Sequence, residues 1–264
     1  MSTNNRLNTF GFEFEWDNIS TGRLSRVLEE QGVENYIGGR YDNDYTRNKV
    51  TTDGSVPNGA ELVSKIITND TMPEIFRAVQ GAKKAGAKIT RKCGVHVHIG
   101  AGHLTDEQVG LAVDNWFAVQ SAVNAMLSSS RLHNQYAKQL DARTVSRLVN
   151  CLNNGNTWGD RYNSLNAESL SEHGTFEFRG HQGTLNSTKA LAWARFCEGF
   201  VNMAEDGIML VDLIPLQGIR KYNAHTKDAK SLEECRTLLR WMTEAGYLTE
   251  ANRNWLTVNK LGRN

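Results

Sequence analysis

The stretch Cys93-Gly94-Val95-His96-Val97-His98-Ile99-Gly100 reads as a short strand with glycine near both ends. Val95, Val97 and Ile99 alternate with His96 and His98, and side chains two apart on a strand point to the same face. One face is apolar and suited to a core; the other carries two imidazoles side by side. Neutral imidazole is the commonest metal ligand among side chains, so this polar face reads as part of a site. Cys93 is either a further ligand or a small buried residue, the commoner fate of a cysteine at a strand start.

Working outward, two more segments repeat the pattern. Residues 8–16, Asn-Thr-Phe-Gly-Phe-Glu-Phe-Glu-Trp, set Phe10, Phe12, Phe14 and Trp16 against Glu13 and Glu15. Residues 174–181 set Phe176 and Phe178 against Glu177 and Arg179. Both have the period of half-buried strands. Residues 60–67 read as a fourth strand carrying Glu61, after turn signals at Asp53-Gly54-Ser55 and Pro57-Asn58-Gly59. Residues 35–60 are rich in Gly, Asn, Asp and Tyr and lack a helical period, which predicts a hairpin or long loop.

Helical signals lie between and after these strands. Leu24, Val27, Leu28 and Gln31 predict a helix over 22–31 that Gly32 closes. Thr71-x-x-Glu74, with Pro73 in the first turn, predicts a capping box and a helix running to Gly86. Thr105-x-x-Gln108 predicts a second, with a helix to about residue 128 that sets Leu111, Asn115, Phe117, Ala118 and Ala122 near one side. Further helices are predicted over 142–152 and 187–206, from a Ser231-x-x-Glu234 cap to Gly246, and from Thr249 to near Gly262. With no repeat or linker in view, the chain reads as a single domain, 1–264, of the α+β class on an antiparallel or mixed sheet.

Composition narrows the function. The chain has 264 residues, 39% of them hydrophobic, enough for a substantial core. A net charge of +1 gives no field of one sign, so neither a nucleic-acid nor a membrane partner is expected. Cys93, Cys151, Cys197 and Cys235 form no C-x-x-C pair, the first residues carry no apolar leader, and no apolar run is long enough to span a bilayer. A reduced, cytoplasmic setting is the expectation.

If the alternating strands are neighbours in one sheet, Glu13, Glu15, His96, His98, Glu177 and Arg179 converge, with Asp53 and Glu61 beside them. Crowded carboxylates repel unless cations neutralise them. Carboxylate and water ligands suit magnesium or manganese, and imidazole extends the choice toward manganese and zinc. An arginine on the same face adds a binder for phosphate oxygens, so the set suggests a nucleotide-phosphate site.

These residues resemble a family. Gly11-Phe-Glu13-Phe-Glu15, Asp53-Gly-Ser with Gly59-Ala-Glu61-Leu-Val-Ser, Cys93-Gly-Val-His96-Val-His98, Arg161-Tyr-Asn163-x-x-Asn166 and Thr175-Phe-Glu177-Phe-Arg179-Gly-His-Gln-Gly183-Thr-Leu are similar, in order, to the motifs of the amidoligase family. That family belongs to the glutamine synthetase and glutamate–cysteine ligase superfamily. The resemblance runs from residue 10 to about 200; the helical part from about 205 to 264 is unmatched. It implies a glutamine synthetase-like catalytic domain, a mainly antiparallel curved sheet with helices on its outer face, holding ATP and Mg2+, with Mn2+ as the alternative ion.

Residue by residue, the resemblance implies that Glu13, Glu15, Glu61, His96 and Glu177 ligate metal. His98, Arg161 and Arg179 would bind ATP or its phosphates, and Glu61, Asp53 and Arg179 would serve catalysis. Asp53 stands where the family carries the longer Glu, so it is either a ligand or the base that accepts the amine proton. The implied reaction joins a small-molecule or peptide carboxylate to an amine through an acyl phosphate. Two other readings of the same residues are a zinc hydrolase using His96, His98 and one acid, and a non-catalytic binding module on the same fold.

Overall fold

The computed structural model describes residues 6, 8–39, 41–132, 134–153, 161–213 and 229–258. Its strands are β1 (Phe10–Asp17), β2 (Asn35–Ile37), β3 (Asn48–Thr51), β4 (Gly59–Val63), β5 (Gly94–Gly100), β6 (Leu165–Asn166) and β7 (Thr175–Gln182). Its helices are α1 (Thr21–Glu30), α2 (Pro73–Lys84), α3 (Asp106–Asn124), α4 (Ser129–Leu132), α5 (Ala142–Asn153), α6 (Ser169–His173), α7 (Ser187–Glu205), α8 (Leu210–Leu213), α9 (Ala229–Glu244) and α10 (Glu250–Leu256). The fold is mixed α+β on a mostly antiparallel sheet of order β2-β3-β4-β1-β5-β7-β6. No helix among the described residues is long and apolar enough to cross a membrane.

The chain divides into two compact units. One, rich in strand, comprises Leu7–His98 and His181–Leu191. The other, rich in helix, takes Ile99–Gly180 and Ala192–Asn264, with the N-terminal Met1–Arg6. In the strand-rich unit Gly183 N donates to Cys93 O at 2.8 Å, and in the helix-rich one Ala101 N donates to Gly174 O at 2.8 Å.

In the strand-rich unit, β1 lies between β4 and β5. Its apolar face is an aromatic ladder: Phe10, Phe12, Phe14 and Trp16 are each at most 2% exposed. Successive rings stack at centroid separations of 6.5, 5.7 and 5.3 Å. Trp16 Nε1 donates to Thr184 O at 3.0 Å, which satisfies its one polar atom. At the far end of β4, Gly59 faces Asp17, and a Cβ there would lie 2.1 Å from Trp16 O. Only glycine permits that backbone approach. α1 packs on α2 and on β2, β3 and β4.

Several local expectations meet a different outcome here. Residues 35–60 are not simply loop. Asn48–Thr51 is a fully buried strand, parallel to β2 and antiparallel to β4. β4 ends at Val63 rather than residue 67, and only Ile67 returns to pair with Phe10. The Thr71-x-x-Glu74 box does not form. Thr71 Oγ1 accepts from Thr68 N at 2.8 Å, before the helix, and Glu74 instead pairs with Lys65 at 2.9 Å.

In the helix-rich unit, α3 is the central element and packs on α5, α8 and α9. Trp116 meets Phe178 and Phe200 edge-on at 5.2 and 5.3 Å. The buried positions of α3 are Val109, Ala112, Val113, Trp116, Val119 and others, so helix is covered on most sides. Of the residues expected near one side, Asn115, Ala118 and Ala122 are buried, while Leu111 and Phe117 are only half-buried. Ser231 lies inside α9, which already runs from Ala229, so it is not that helix's cap. α10 starts as expected on Thr249, whose side chain accepts from Asn252 N, and Gly262, the expected end, lies outside the described residues. α4, α6 and α8 are single turns without a sequence period.

The second capping box does form. Thr105 Oγ1 accepts from Gln108 N at 3.3 Å, and Gln108 Oε1 accepts from Thr105 N at 2.9 Å. Thr105→Ala should lower stability by about 1 kcal/mol, the usual cost of a lost side-chain cap. Equilibrium urea denaturation reads it as a lower midpoint with an unchanged slope.

Tyr247 donates to Asp206 Oδ2 at 2.7 Å. Burial, then the bond and charge of Asp206, push the phenol up to about 12. The unfolded chain releases that proton near pH ~10, so between the two values the folded state binds more protons. Stabilisation from this contact is complete below pH ~10 and is lost as pH rises through the folded value. Tyr247→Phe should flatten this alkaline loss, as seen by comparing denaturation midpoints of the two proteins across that interval.

Candidate metal centre and active site

The polar face of the strand-rich unit is built by register. β1 and β4 pair antiparallel with Glu15 opposite Glu61, Glu13 opposite Val63 and Asp17 opposite Gly59. β3 continues the rows, with Thr51 opposite Glu61 and Lys49 opposite Val63. Directly paired residues share a face, so Glu13, Glu15, Glu61, Thr51 and Lys49 all point to the side away from the aromatic ladder. The turn after β3 brings Asp53 to the same place. Its Oδ1 accepts from Ser55 N at 2.6 Å, and Val56 N closes the turn on Asp53 O.

Glu15, Asp53 and Glu61 are the core of the centre. Each offers a carboxylate oxygen, and the three oxygens lie within 4.8 Å of one another. Glu15 and Glu61 are buried, at 6% and 8% exposure. Burial and then the charges of Glu13, Glu15 and Asp53 push the Glu61 carboxyl well above its usual range, against a smaller pull from Lys49. Such crowding is unfavourable for an ionised set alone and favourable around a divalent cation. The donors are all carboxylate oxygens, which fits magnesium or manganese better than zinc.

The histidine strand stands beside them. His96 is buried, with Nδ1 2.6 Å from Glu13 Oε2 and Nε2 3.8 Å from Glu15 Oε1. His98 Nε2 is 3.5 Å from Glu13 Oε1. Burial alone would raise the Glu13 carboxyl; hydrogen bonds from His96 and His98, and the charges of both rings, outweigh it and hold the carboxyl well below its usual range. Glu15 is fixed from the other side, its Oε2 accepting from Gly94 N at 2.6 Å. Gly11 leaves room for His98, whose Cβ would be 3.2 Å from a Cβ at that position. Cys93 is buried and packs on Gly183.

The helix-rich unit holds the remaining candidates. Glu177 and Arg179 are buried at 4% and 6% exposure and are paired through Arg179 Nη1 and Glu177 Oε1. The other Glu177 oxygen accepts from Asn166 Nδ2 at 2.6 Å. Arg179 Nε donates to Tyr136 O at 3.0 Å, and its guanidinium stands 5.8 Å from the Tyr162 ring centroid. Arg161 is exposed on a turn, 5.6 Å from the same ring. His181 belongs instead to the strand-rich unit, where it is fully buried, with Nδ1 2.6 Å from Gln182 O.

Sequence reasoning missed three participants. Lys49 sits on the acid face, 5% exposed, with Nζ donating to Asp42 O at 2.5 Å. The alternation Lys49-Val50-Thr51 was a weak signal, too short to stand out from the polar stretch around it. Arg131, buried, donates from Nη2 to Arg179 O at 2.7 Å and so braces β7. Asn166 was within a quoted motif, but its contact with Glu177 had no signal in spacing.

A buried sheet face with carboxylates opposed in register and two imidazoles beside them is a set of groups that could hold a divalent cation. Residues 6–201 match the family model described as "putative amidoligase enzyme", well over half of the chain. The protein belongs to that family, whose description names an amide-forming ligase. No curated protein matches the chain.

Proposed function

We propose that the protein is an ATP- and magnesium-dependent ligase that joins a carboxylate to an amine. The observation that carries this reading is the Glu15–Asp53–Glu61 cluster, three carboxylates within 4.8 Å, in a chain of the amidoligase family. Glu13, Glu15, Glu61 and His96 hold the ions. Glu177 and Arg179 keep the roles that the likeness to the glutamine synthetase superfamily implies, a ligand and a phosphate-binding guanidinium. His98 and Arg161 contact the nucleotide, and the reaction takes place in the cytoplasm, where ATP and magnesium are supplied.

The divalent ion, when bound, offsets the charge of the phosphate oxygens. A substrate carboxylate oxygen attacks the γ-phosphorus, and ADP leaves with the bonding pair. The amine nitrogen then attacks the acyl carbon; phosphate departs with the C–O pair, and the amine proton passes to Asp53. Asp53 suits that task because it is only half-buried, at the edge of the cluster, with one oxygen already oriented by Ser55 N.

The test is phosphate release from ATP with magnesium, on pools of carboxylates and amines, with mass analysis of products. The expected product weighs one water less than the acid and amine together. Stoichiometric zinc in protein purified without added metal, with hydrolysis and no nucleotide dependence, would favour the hydrolase instead.

A further inference from the structure

The acid face does not end at Glu15. Asp17 is next on the same face of β1, two residues on, flanked by Gly59 of β4 on one side. On the other side it pairs with Lys88: Asp17 N donates to Lys88 O at 2.9 Å and Lys88 N to Asp17 O at 2.8 Å. A doubly bonded antiparallel pair sets its two side chains on one face. Asp17 and Lys88 therefore emerge beside each other, on the same side of the sheet as the metal-type carboxylates. Around them is a cavity of about 670 Å3, also lined by Thr21, Thr52, Asn58 and Thr90. Its size is that of a small-molecule site.

The two charges do not neutralise each other. Among the described residues, Lys88 makes no ion pair, and the Asp17 carboxylate accepts from the backbone N of Asn18, at 2.7 Å. Neighbours in a sheet with opposite charges ordinarily meet across the strands. Here a carboxylate and an ammonium stay apart in one cavity, with hydroxyl and amide groups around them. The row is one step, ~7 Å, from the Glu15–Glu61 row, so a compact molecule seated on it reaches the carboxylate cluster.

We infer that this cavity binds the head of an amino acid as the amine substrate. Lys88 takes the carboxylate, and Asp17 receives the amino group and turns it toward the Asp53 side of the cluster. A simple amine or a simple acid satisfies only one of the two charges, so the pair selects molecules that carry both. This inference rests on the ligase reading for its meaning, though the cavity's binding can be measured without turnover.

The experiment titrates each L-amino acid, and methylamine and acetate for comparison, into the full chain by ligand-observed NMR, with and without ATP and magnesium. At least one amino acid should bind. Lys88→Ala and Asp17→Asn should each weaken it about tenfold or more, with melting curves unchanged because both side chains reach solvent. Methylamine and acetate should bind more weakly by a similar factor. The inference is overturned if no amino acid binds under either condition, or if binding is the same in both variants. Phosphate release separates the two ideas. Release stimulated by amines without a carboxylate, and insensitive to Lys88→Ala, leaves the ligase and removes the cavity. Amino-acid binding that needs Lys88, with no nucleotide turnover for any acid, keeps the cavity and removes the ligase.

Discussion

Glu61→Gln should reduce phosphate release at least ~10²–10³-fold, the scale on which loss of a charge-stabilising group is felt in a site. Glu61 lies directly between Glu15 on β1 and Thr51 on β3, so no other acid can take its place without moving a strand. The same substitution should have the opposite effect on the metal-free fold. Glu61 is pressed by Glu13, Glu15 and Asp53, and removing one of these buried acids relieves repulsion. Metal-free Glu61→Gln should therefore unfold at a higher urea concentration than the wild type. Adding magnesium reverses the order. A ligand at a hundred times its Kd adds ~2.7 kcal/mol to a protein that binds it only when folded; the wild type should gain this and the variant should gain little. Denaturation of both proteins with and without magnesium makes the measurement. Glu172→Gln, a change at an exposed carboxylate on α6, should alter neither quantity. If no divalent cation stabilises the wild type, the metal centre is refuted.

The crossed signs of this prediction come from a face whose strands were legible and whose rows were not. Period-two alternation was strong in β1, β5 and β7 because aromatic and branched residues occupy every second position, and all three are strands. Alternation says which side a residue takes, but not which residue stands opposite it. That Glu15 faces Glu61, and that Asp53 swings back over both, depends on the turn at Asp53–Gly59 and on hydrogen bonds that no spacing encodes. β3 shows the limit most clearly. Four residues, buried on both sides by tertiary packing, carry too little period to be told from the loop around them, and Lys49 went unseen with it.

Capping signals divided in the same way. Thr105 and Thr249 act as caps because their own backbone is extended, at ψ 163° and 152°. Met72, before α2, is already helical at ψ −33°, so Thr71 has no cap position to occupy. The same letters in sequence thus meet different backbones. In the helix-rich unit the Glu177–Arg179 alternation was legible; that the two bind each other and Asn166 was not, since a residue and its second neighbour are ordinarily parallel and separate on a strand.

Phe14→Ala should cost about 3–5 kcal/mol, the range for truncating a buried phenylalanine, and so a large part of the ~5–15 kcal/mol that holds a typical domain folded. Phe14 is fully buried, with Phe12 stacked at 5.7 Å and Trp16 at 5.3 Å. Removing the middle ring leaves a gap between two rings that the strand backbone holds apart, so collapse can recover little of it. The effect extends to the other face. Glu13 and Glu15 are the neighbours of Phe14 in sequence, and their direction is set by the burial of the aromatic side: a slip of one residue would put both carboxylates in the core. Phe14→Leu keeps most of the apolar volume and should cost less than the alanine variant while retaining magnesium-induced stabilisation. Phe14→Ala should lose stability and bind magnesium more weakly where it is still folded, because β1 is no longer pinned. Urea denaturation gives the first quantity and a magnesium titration of the folded protein the second. A loss under ~1 kcal/mol in the alanine variant is what surface changes produce, and it would mean that the ladder does not position the acids.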